Sequence, residues 1–548
     1  MRKLKMTFIG FGAALMMCLA PVVTAQEATE ATGETNWWNE RVFYQIFVRS
    51  FYDSDGDGTG DFQGLIEKLD YLNDGDPETT DDLGVTGIWL MPVMPSPTEH
   101  GYDVTDYLGV NPDYGTAEDF RQFVDEAHAR GIAVIIDLVV NHSSSEHPWF
   151  EASAAGDPEY ADYYVWSETD PGFRGPDGQT VWHKRGDRWY YGVFFYLMPD
   201  LNYTNPDVTA EMYEIARFWL EEMDVDGFRV DAVKYVVEEG RALENTSATH
   251  AWLEAFHDHV KSIKPDALLV GEIWDATELV VPYVPDEMDI AFEFDLAAAL
   301  VQSASFGLAG TLTRALEPVL SAYPDDQYAT FVTNHDQDRF ISQAQGKTDA
   351  ARLAGYFLLT LPGVPFVYYG EEIGMEGRRT LSDTDNERRR PMQWDDSANA
   401  GFTSGTPWFP LNDNADDANV SEQDDDPSSV LNAYRDLIQL RSRTPALQTG
   451  DLLLLESTHR KVLAFLRHSP GQAVVLVVIN TDDRPVTDYA ISGALEIDGP
   501  VSAANLLYGE GDVNAPTVRY QGTSAILDAY TPLTELAPYS ATVIDLLP

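Results

Sequence analysis

Two apolar rhythms alternate over most of the chain. Short runs rich in Val, Ile, Leu and Phe occur at 41–51, 84–93, 131–142, 225–233, 267–274, 288–296, 328–336 and 363–371. Their nearly continuous apolar character is that of strands buried on both faces of a parallel sheet. Between them, at 117–129, 208–223, 350–361 and 429–441, apolar residues recur with the 3.6-residue period of an amphipathic helix. Eight strands with intervening helices predict an α/β protein built on a (β/α)8 TIM barrel. The interval after the third strand is too long for one helix, so 143–205, rich in Tyr, Trp and Gly, is expected to form an inserted subdomain. The barrel itself is assigned to 37–142 and 206–445. From 446 to 548 the pattern shortens to runs at 451–455, 461–467, 473–480, 486–491 and 542–547 split by turn residues, which predicts a C-terminal antiparallel β-sandwich. The polar stretch 412–427 is expected to be a surface loop before the last barrel helix.

The N-terminus changes the picture. Arg2, Lys3 and Lys5 precede an apolar run from Met6 to Ala20, and Val23-Thr24-Ala25 supplies small residues for cleavage. Residues 1–25 therefore read as a secretory signal peptide, and 26–36 as a flexible lead-in. Cys18 is the only cysteine and lies inside the signal, so the exported protein is expected to hold no disulfide. Met17 stands where a lipoprotein signal needs a small residue before its cysteine.

Charge narrows the partners. The chain of 548 residues carries 90 acidic and 35 basic side chains, a formal net charge of −55. Such a surface repels nucleic acid and anionic lipid, and it suits salty surroundings that screen self-repulsion. A monomer is expected, outside the cytoplasm, with no membrane partner once the signal is removed.

Barrel enzymes place their chemistry at the C-terminal ends of the strands. The third strand ends in Asp137-Leu-Val-Val-Asn141-His142, the fourth carries Arg229-Val-Asp231-Ala232, the fifth ends in Glu272-Ile-Trp274, and the seventh in Asn334-His335-Asp336. A single such residue is explained by a helix cap or a loop ion pair. Four apolar strands that all end in ionisable groups at one mouth imply a charged pocket, which is costly unless it is used. Three carboxyls suit a retaining glycosidase, which needs one as nucleophile and one as acid/base. Arg229, two residues before Asp231, points to the same side of the strand and is expected to hold the Asp231 pKa down. Crowding by the other carboxyls is expected to raise that of Glu272. His142 and His335 offer hydrogen bonds to sugar hydroxyls.

These segments resemble the signature regions of the α-amylase family, in order and over essentially the whole chain after the signal. The resemblance implies that Asp231 is the nucleophile, Glu272 the general acid/base and Asp336 the transition-state stabiliser. It also implies that Tyr102, His142, Arg229 and His335 shape the first subsite, with Tyr102 stacking on the sugar. Met198-Pro-Asp-Leu-Asn202 is similar to the signature of the branch intermediate between oligo-1,6-glucosidases and neopullulanases, whose members act mostly on α-1,4 bonds. The stretch 386–402 resembles one shared with α-glucosidases and trehalose-forming isomerases. There Arg389 matches an arginine that works with the aspartate at the position of Asp103 on the first-subsite sugar. In the oligo-glucosidase branch, Ala or Thr at the position of Ala232, after the nucleophile, goes with α-1,4 preference. The substrate implied is an α-glucan or maltooligosaccharide. An α-glucosidase or transglycosylating enzyme is the nearest rival, and a non-catalytic sugar-binding protein on the same fold a remote one.

A second motif stands apart. Asp53-Ser-Asp55-Gly-Asp57-Gly-Thr59-Gly-Asp61 places acids at positions one, three, five and nine of a loop with Gly at six, the spacing of an EF-hand-like Ca2+ loop. The simpler reading is an acidic, Gly-rich turn. In the related oligo-glucosidases this loop holds calcium, with the carbonyl of residue 59 as a ligand, so the resemblance implies Asp53, Asp55, Asp57, Thr59 and Asp61 as the metal set.

Overall fold

All eight apolar runs form parallel strands that close on themselves. They are β1 (Phe43–Ile46), β2 (Gly87–Leu90), β3 (Ala133–Leu138), β4 (Gly227–Val230), β5 (Leu268–Gly271), β6 (Ile290–Phe292), β7 (Tyr328–Phe331) and β8 (Val364–Tyr368). Each pairs with its sequence neighbours and β8 pairs with β1, giving a closed barrel. The computed structural model describes residues 36–548 except 324–326, 381–384, 469–473, 497–500, 502, 522–523 and 548. The expected signal peptide, and all of the lead-in but Asn36, lie outside the described residues.

The barrel is filled, not hollow. Phe43, Trp89, Ile135, Leu268, Ile290, Phe292, Phe331 and Phe366 belong to one interior cluster. Phe43 and Phe366 stack with centroids 4.6 Å apart. β2 contributes Gly87 at this level because an added Cβ there would lie 2.5 Å from the Phe43 ring. Large and small side chains thus alternate around the interior to fill it. A second, larger cluster seals the strands against the surrounding helices.

The helices follow their local sequence. Ala117–Ala129 begins at a reciprocal capping box between Thr116 and Asp119. Pro206–Arg217 starts two residues before the apolar period does, because Asn205 caps it and Pro206 takes its first turn. Its expected continuation to 223 is a π-helical turn, Phe218–Glu222. Val430–Arg443 is capped by Ser429. The stretch 412–427 is not all loop, since Asn419 caps the short helix Val420–Asp424.

Between β3 and β4 the chain forms the helix Pro148–Ala155 and a three-stranded sheet of Trp166–Ser167, Arg188–Tyr191 and Trp182–Arg185 in that spatial order. An isolated bridge between His142 and Asp200 ties the start of this excursion to its end. After the barrel, two antiparallel sheets enclose a separate apolar core that includes Leu466, Leu476, Val478, Leu527 and Ile544. The run at 486–491 is not a strand. Val486 makes only an isolated bridge with Leu536, and the strand runs Ile491–Glu496. Three further strands, Ala503–Tyr508, Val518–Gln521 and Ser524–Tyr530, escape the apolar pattern. Residues 503–508 alternate between exposed and half-buried, so no fully apolar face marks them. Among the described residues, no helix is long and apolar enough to cross a membrane.

Candidate active site

The register of the barrel strands assembles the mouth. Asp137 on β3 pairs with Arg229 on β4, and Val230 pairs with Gly271 on β5. One step further along, Asp231 and Glu272 therefore emerge side by side. The Arg229 guanidinium lies beneath them. Its Nη1 donates to Asp137 Oδ1 at 2.6 Å and to Asp231 Oδ1 at 2.5 Å, and its Nη2 lies 3.2 Å from Glu272 Oε2. The Ala232 amide also donates to Glu272 Oε2, at 3.0 Å. To make that contact Ala232 adopts a left-handed backbone, φ 55°. This conformation costs a non-glycine residue on the order of 1–2 kcal/mol.

β7 supplies the opposite wall. Asp336 Oδ2 lies 3.0 Å from His335 Nε2, and Arg389 Nη2 donates to Asp336 Oδ1 at 2.9 Å. Arg389 Nε is held by the His335 carbonyl at 3.1 Å. The Gln45 amide nitrogen faces His335 Nδ1 at 2.7 Å, which places the ring proton on Nε2, toward Asp336 and the Tyr102 hydroxyl 2.7 Å away. Tyr102 lies nearly parallel to the His335 ring and its hydroxyl donates to Asp137 Oδ2. His142 is buried, and its Nε2 has no protein partner among the described residues. A cavity of about 450 Å³ opens here, lined by Tyr102, His142, Asp231, Glu272, Asp336 and Arg389, among others.

The electrostatics separate the carboxyls. Burial raises the Glu272 pKa; Arg229 opposes it, while Asp231 and Asp336 add to it. Crowding by carboxylates, expected from sequence as the cause, is thus secondary to burial. Burial also lifts Asp231 above its ordinary value, and Arg229 limits that rise without reversing it. The expectation that Arg229 leaves Asp231 with a lowered pKa is therefore corrected. For Asp336 burial again pushes upward, but His335, Arg389 and Arg229 together hold it well below the usual carboxylate range. Asp137, fully enclosed, is pushed up to about 7 by burial, against the pull of Arg229. Burial lowers His142 to about 4, so its ring is neutral at neutral pH. The mouth therefore holds an ionised Asp336 facing two carboxyls, Glu272 and Asp231, that are both biased toward their protons.

One expected pairing is absent. Asp103 and Arg389 form no ion pair among the described residues. Asp103 is buried and accepts hydrogen bonds from the Ser96 and Thr98 hydroxyls, while Arg389 is taken up by Asp336. The two hydroxyls, five and seven residues upstream, both reach Oδ1 and tie Asp103 to its own loop.

Sequence reasoning assigned no role to Asp137, Gln45, Glu99, Phe194 or Asn386. Asp137 signalled itself as the lone acid within an otherwise apolar strand. Gln45 sits likewise within β1. Asn386 Nδ2 donates to Glu99 Oε1 at 2.7 Å and ties two mouth loops together, a long-range contact without a local signal.

The acidic loop lies elsewhere, after β1. Carboxylate oxygens of Asp53, Asp55 and Asp61 lie within 4.8 Å of one another. Asp57 is not in that group; its Oδ1 accepts the Thr59 amide. Asp53 also accepts the amides of Gly56 and Gly58 and the Thr403 hydroxyl, and Asp61 caps the helix Phe62–Glu67.

Known proteins share this architecture. A model of the alpha amylase catalytic domain matches residues 45–450. Alpha-amylase 3 of Dictyoglomus thermophilum is 38% identical over 447 residues, 80% of this chain and 85% of that protein. Oligo-1,6-glucosidase of Parageobacillus thermoglucosidasius is 32% identical over 531 residues, 83% of this chain and 92% of that protein. The crystal structure of an alpha-amylase from H. orenii matches with a TM-score of 0.80 and 40% identity, covering 92% of this chain and 99% of that one. With the family model spanning most of the chain and relatives of both kinds aligned along it, the chain belongs to the α-amylase family and is a glycoside hydrolase standing between the α-amylases and the oligo-1,6-glucosidases.

Proposed function

We propose that this is a secreted hydrolase of α-1,4-glucosidic bonds in starch and maltooligosaccharides, acting with retention of configuration. The observation that carries the reading is the single Arg229 guanidinium shared by Asp231 and Glu272, with Asp336 across the same cavity. In this reading Asp231 attacks the anomeric carbon through Oδ2, its Oδ1 being held by Arg229. The glycosidic C–O bond breaks as Glu272 gives its proton to the leaving oxygen. Glu272, now a carboxylate, takes a proton from water, whose oxygen displaces Asp231 and restores the α configuration. Asp336 stays ionised and stabilises the positive charge that develops on the sugar ring. The unpartnered His142 Nε2 is available to a sugar hydroxyl, and Tyr102 presents its ring to the sugar face.

Ala232 and the amylase relatives support α-1,4 bonds. The stretch 386–402, with its likeness to α-glucosidases, supports a second reading, release of glucose from chain ends. The product profile from starch, maltoheptaose, maltose, isomaltose and pullulan decides. A ladder of maltooligosaccharides supports the first reading, glucose alone supports the second, and trehalose from maltose marks a transglycosylating isomerase.

The N-terminal sequence supports export, which fractionation of the producing cells tests. The acidic loop suits calcium, because three hard carboxylate oxygens already converge in it. Asp53, Asp55 and Asp61 would hold the ion. Bound there, it would brace this loop against the segment carrying Thr403 and Trp408, whose amide donates to the Gly58 carbonyl.

A further inference from the structure

Phe194, Phe195 and Tyr196, three consecutive rings, stand 41%, 49% and 50% exposed. Burying one such side chain is worth about 1.5–3 kcal/mol. Three held together in water mark a recognition surface. The segment is pinned where it stands. Met198 N donates to the Phe195 carbonyl at 3.0 Å, Ser145 N to the Leu197 carbonyl at 2.7 Å, and the Tyr190 hydroxyl to the Tyr196 carbonyl. Gly192 permits the tight return of the loop, because an added Cβ would lie 2.8 Å from the Met198 carbonyl oxygen.

The three rings line a groove of about 590 Å³, together with the buried Trp182 and Tyr190 and with Gln179, Thr180, His183 and Lys184. Phe194 lines the catalytic cavity as well, with its ring 5.4 Å from that of His142, so the two hollows share a wall. The chemistry of the groove is selective. In a chain with 90 acidic residues, no acid lines it, and Lys184 is its one full charge. Aromatic faces beside uncharged hydrogen-bonding groups match a neutral, polyhydroxylated chain with apolar C–H faces.

We propose that this groove binds the non-reacting length of the same α-glucan whose scissile bond lies in the catalytic cavity, and that Phe195 and Tyr196 set the preference for chain length. The proposal rests on the reading of the cavity as an α-glucan hydrolase site. Binding energy gained on this remote part of the chain favours long substrates over short ones.

The test is the ratio of kcat/KM for maltoheptaose to that for maltotriose in the wild type, in Phe195→Ala/Tyr196→Ala and in Tyr196→Phe. The ratio is expected to fall at least fivefold in the double variant, mainly through a higher KM for maltoheptaose, and to stay within twofold in Tyr196→Phe, which keeps the ring. An unchanged ratio in an active double variant overturns the proposal. If sedimentation then shows a wild-type dimer that the double variant dissolves, the rings serve a second copy of the chain instead. A wild type that hydrolyses neither substrate refutes the functional reading itself, and the groove proposal with it.

Discussion

Two groups of acids lie beyond the ends of barrel strands, and their surroundings differ in kind. Asp231, Glu272 and Asp336 face a cavity and share the guanidiniums of Arg229 and Arg389. Glu371 and Glu372, just after β8, are sealed in protein, and tyrosine hydroxyls donate to one oxygen of each. Tyr434 donates to Glu371 at 3.0 Å, and Tyr44 and Tyr71 donate to Glu372 at 2.7 and 2.8 Å. Burial raises the pKa in both places, to about 8 for Glu371. A perturbed carboxyl is thus not by itself a site. Open space, and direct ion pairs to arginine in place of tyrosine hydroxyls, distinguish the functional cluster from the structural one.

The largest effect expected is on catalysis. Asp231→Asn and Glu272→Gln should each lower kcat by three or more orders of magnitude, whereas Glu371→Gln should change it less than about tenfold. Steady-state kinetics on maltotriose provide the comparison. A comparable loss in Glu371→Gln would erase the distinction between the clusters.

Next comes stability. Arg229→Met leaves Asp137, Asp231 and Glu272 without their shared cation, and should cost about 3–5 kcal/mol of folding free energy. Tyr434→Phe removes one neutral donor from Glu371 and should cost about 1–3 kcal/mol. Denaturant titration of both variants checks the order, and a reversed order would mean that the tyrosine-sealed acids bear more of the fold than the charged mouth does.

A pH effect separates the clusters further. Folded Glu371 keeps its proton up to about pH 8, whereas an unfolded glutamate loses it near 4.5. Between these values the folded state binds the extra proton, so this residue makes the protein less stable as pH rises through the window. Glu371→Gln should therefore flatten the fall in Tm between pH 5 and pH 8. An unchanged slope would show that Glu371 does not titrate in this range. Chelation at constant pH should lower Tm by a few degrees if calcium braces the acidic loop. No shift, with no metal by elemental analysis, would remove calcium from the account.

Much of the mouth was legible in the sequence because barrel strands are continuous apolar runs, and each polar residue at their ends stands out against them. Asp231, Glu272, Asp336, Arg229, His142 and His335 all stand out in this way; the structure brings four of them to one cavity and sets Arg229 and His335 behind its acids. The local contacts of Asp103 had no signal in the sequence: the Ser96 and Thr98 hydroxyls donate to its Oδ1, while the resemblance speaks only of its work with Arg389 on the sugar. The Glu371–Tyr434 and Asn386–Glu99 contacts join residues far apart in sequence, and no periodicity encodes them. The C-terminal sheets were partly hidden for another reason. Strands such as Ala503–Tyr508 lie at a sheet edge with one half-buried face, so their apolar signal is weak.

The central claim is that Asp231 and Glu272 carry out a double displacement. Proton NMR of the first product released from maltotriose, recorded before mutarotation, tests it most directly. The account predicts the α-anomer at early times, relaxing later to the equilibrium mixture. A β-anomer at early times would mean a single displacement by water and would contradict it.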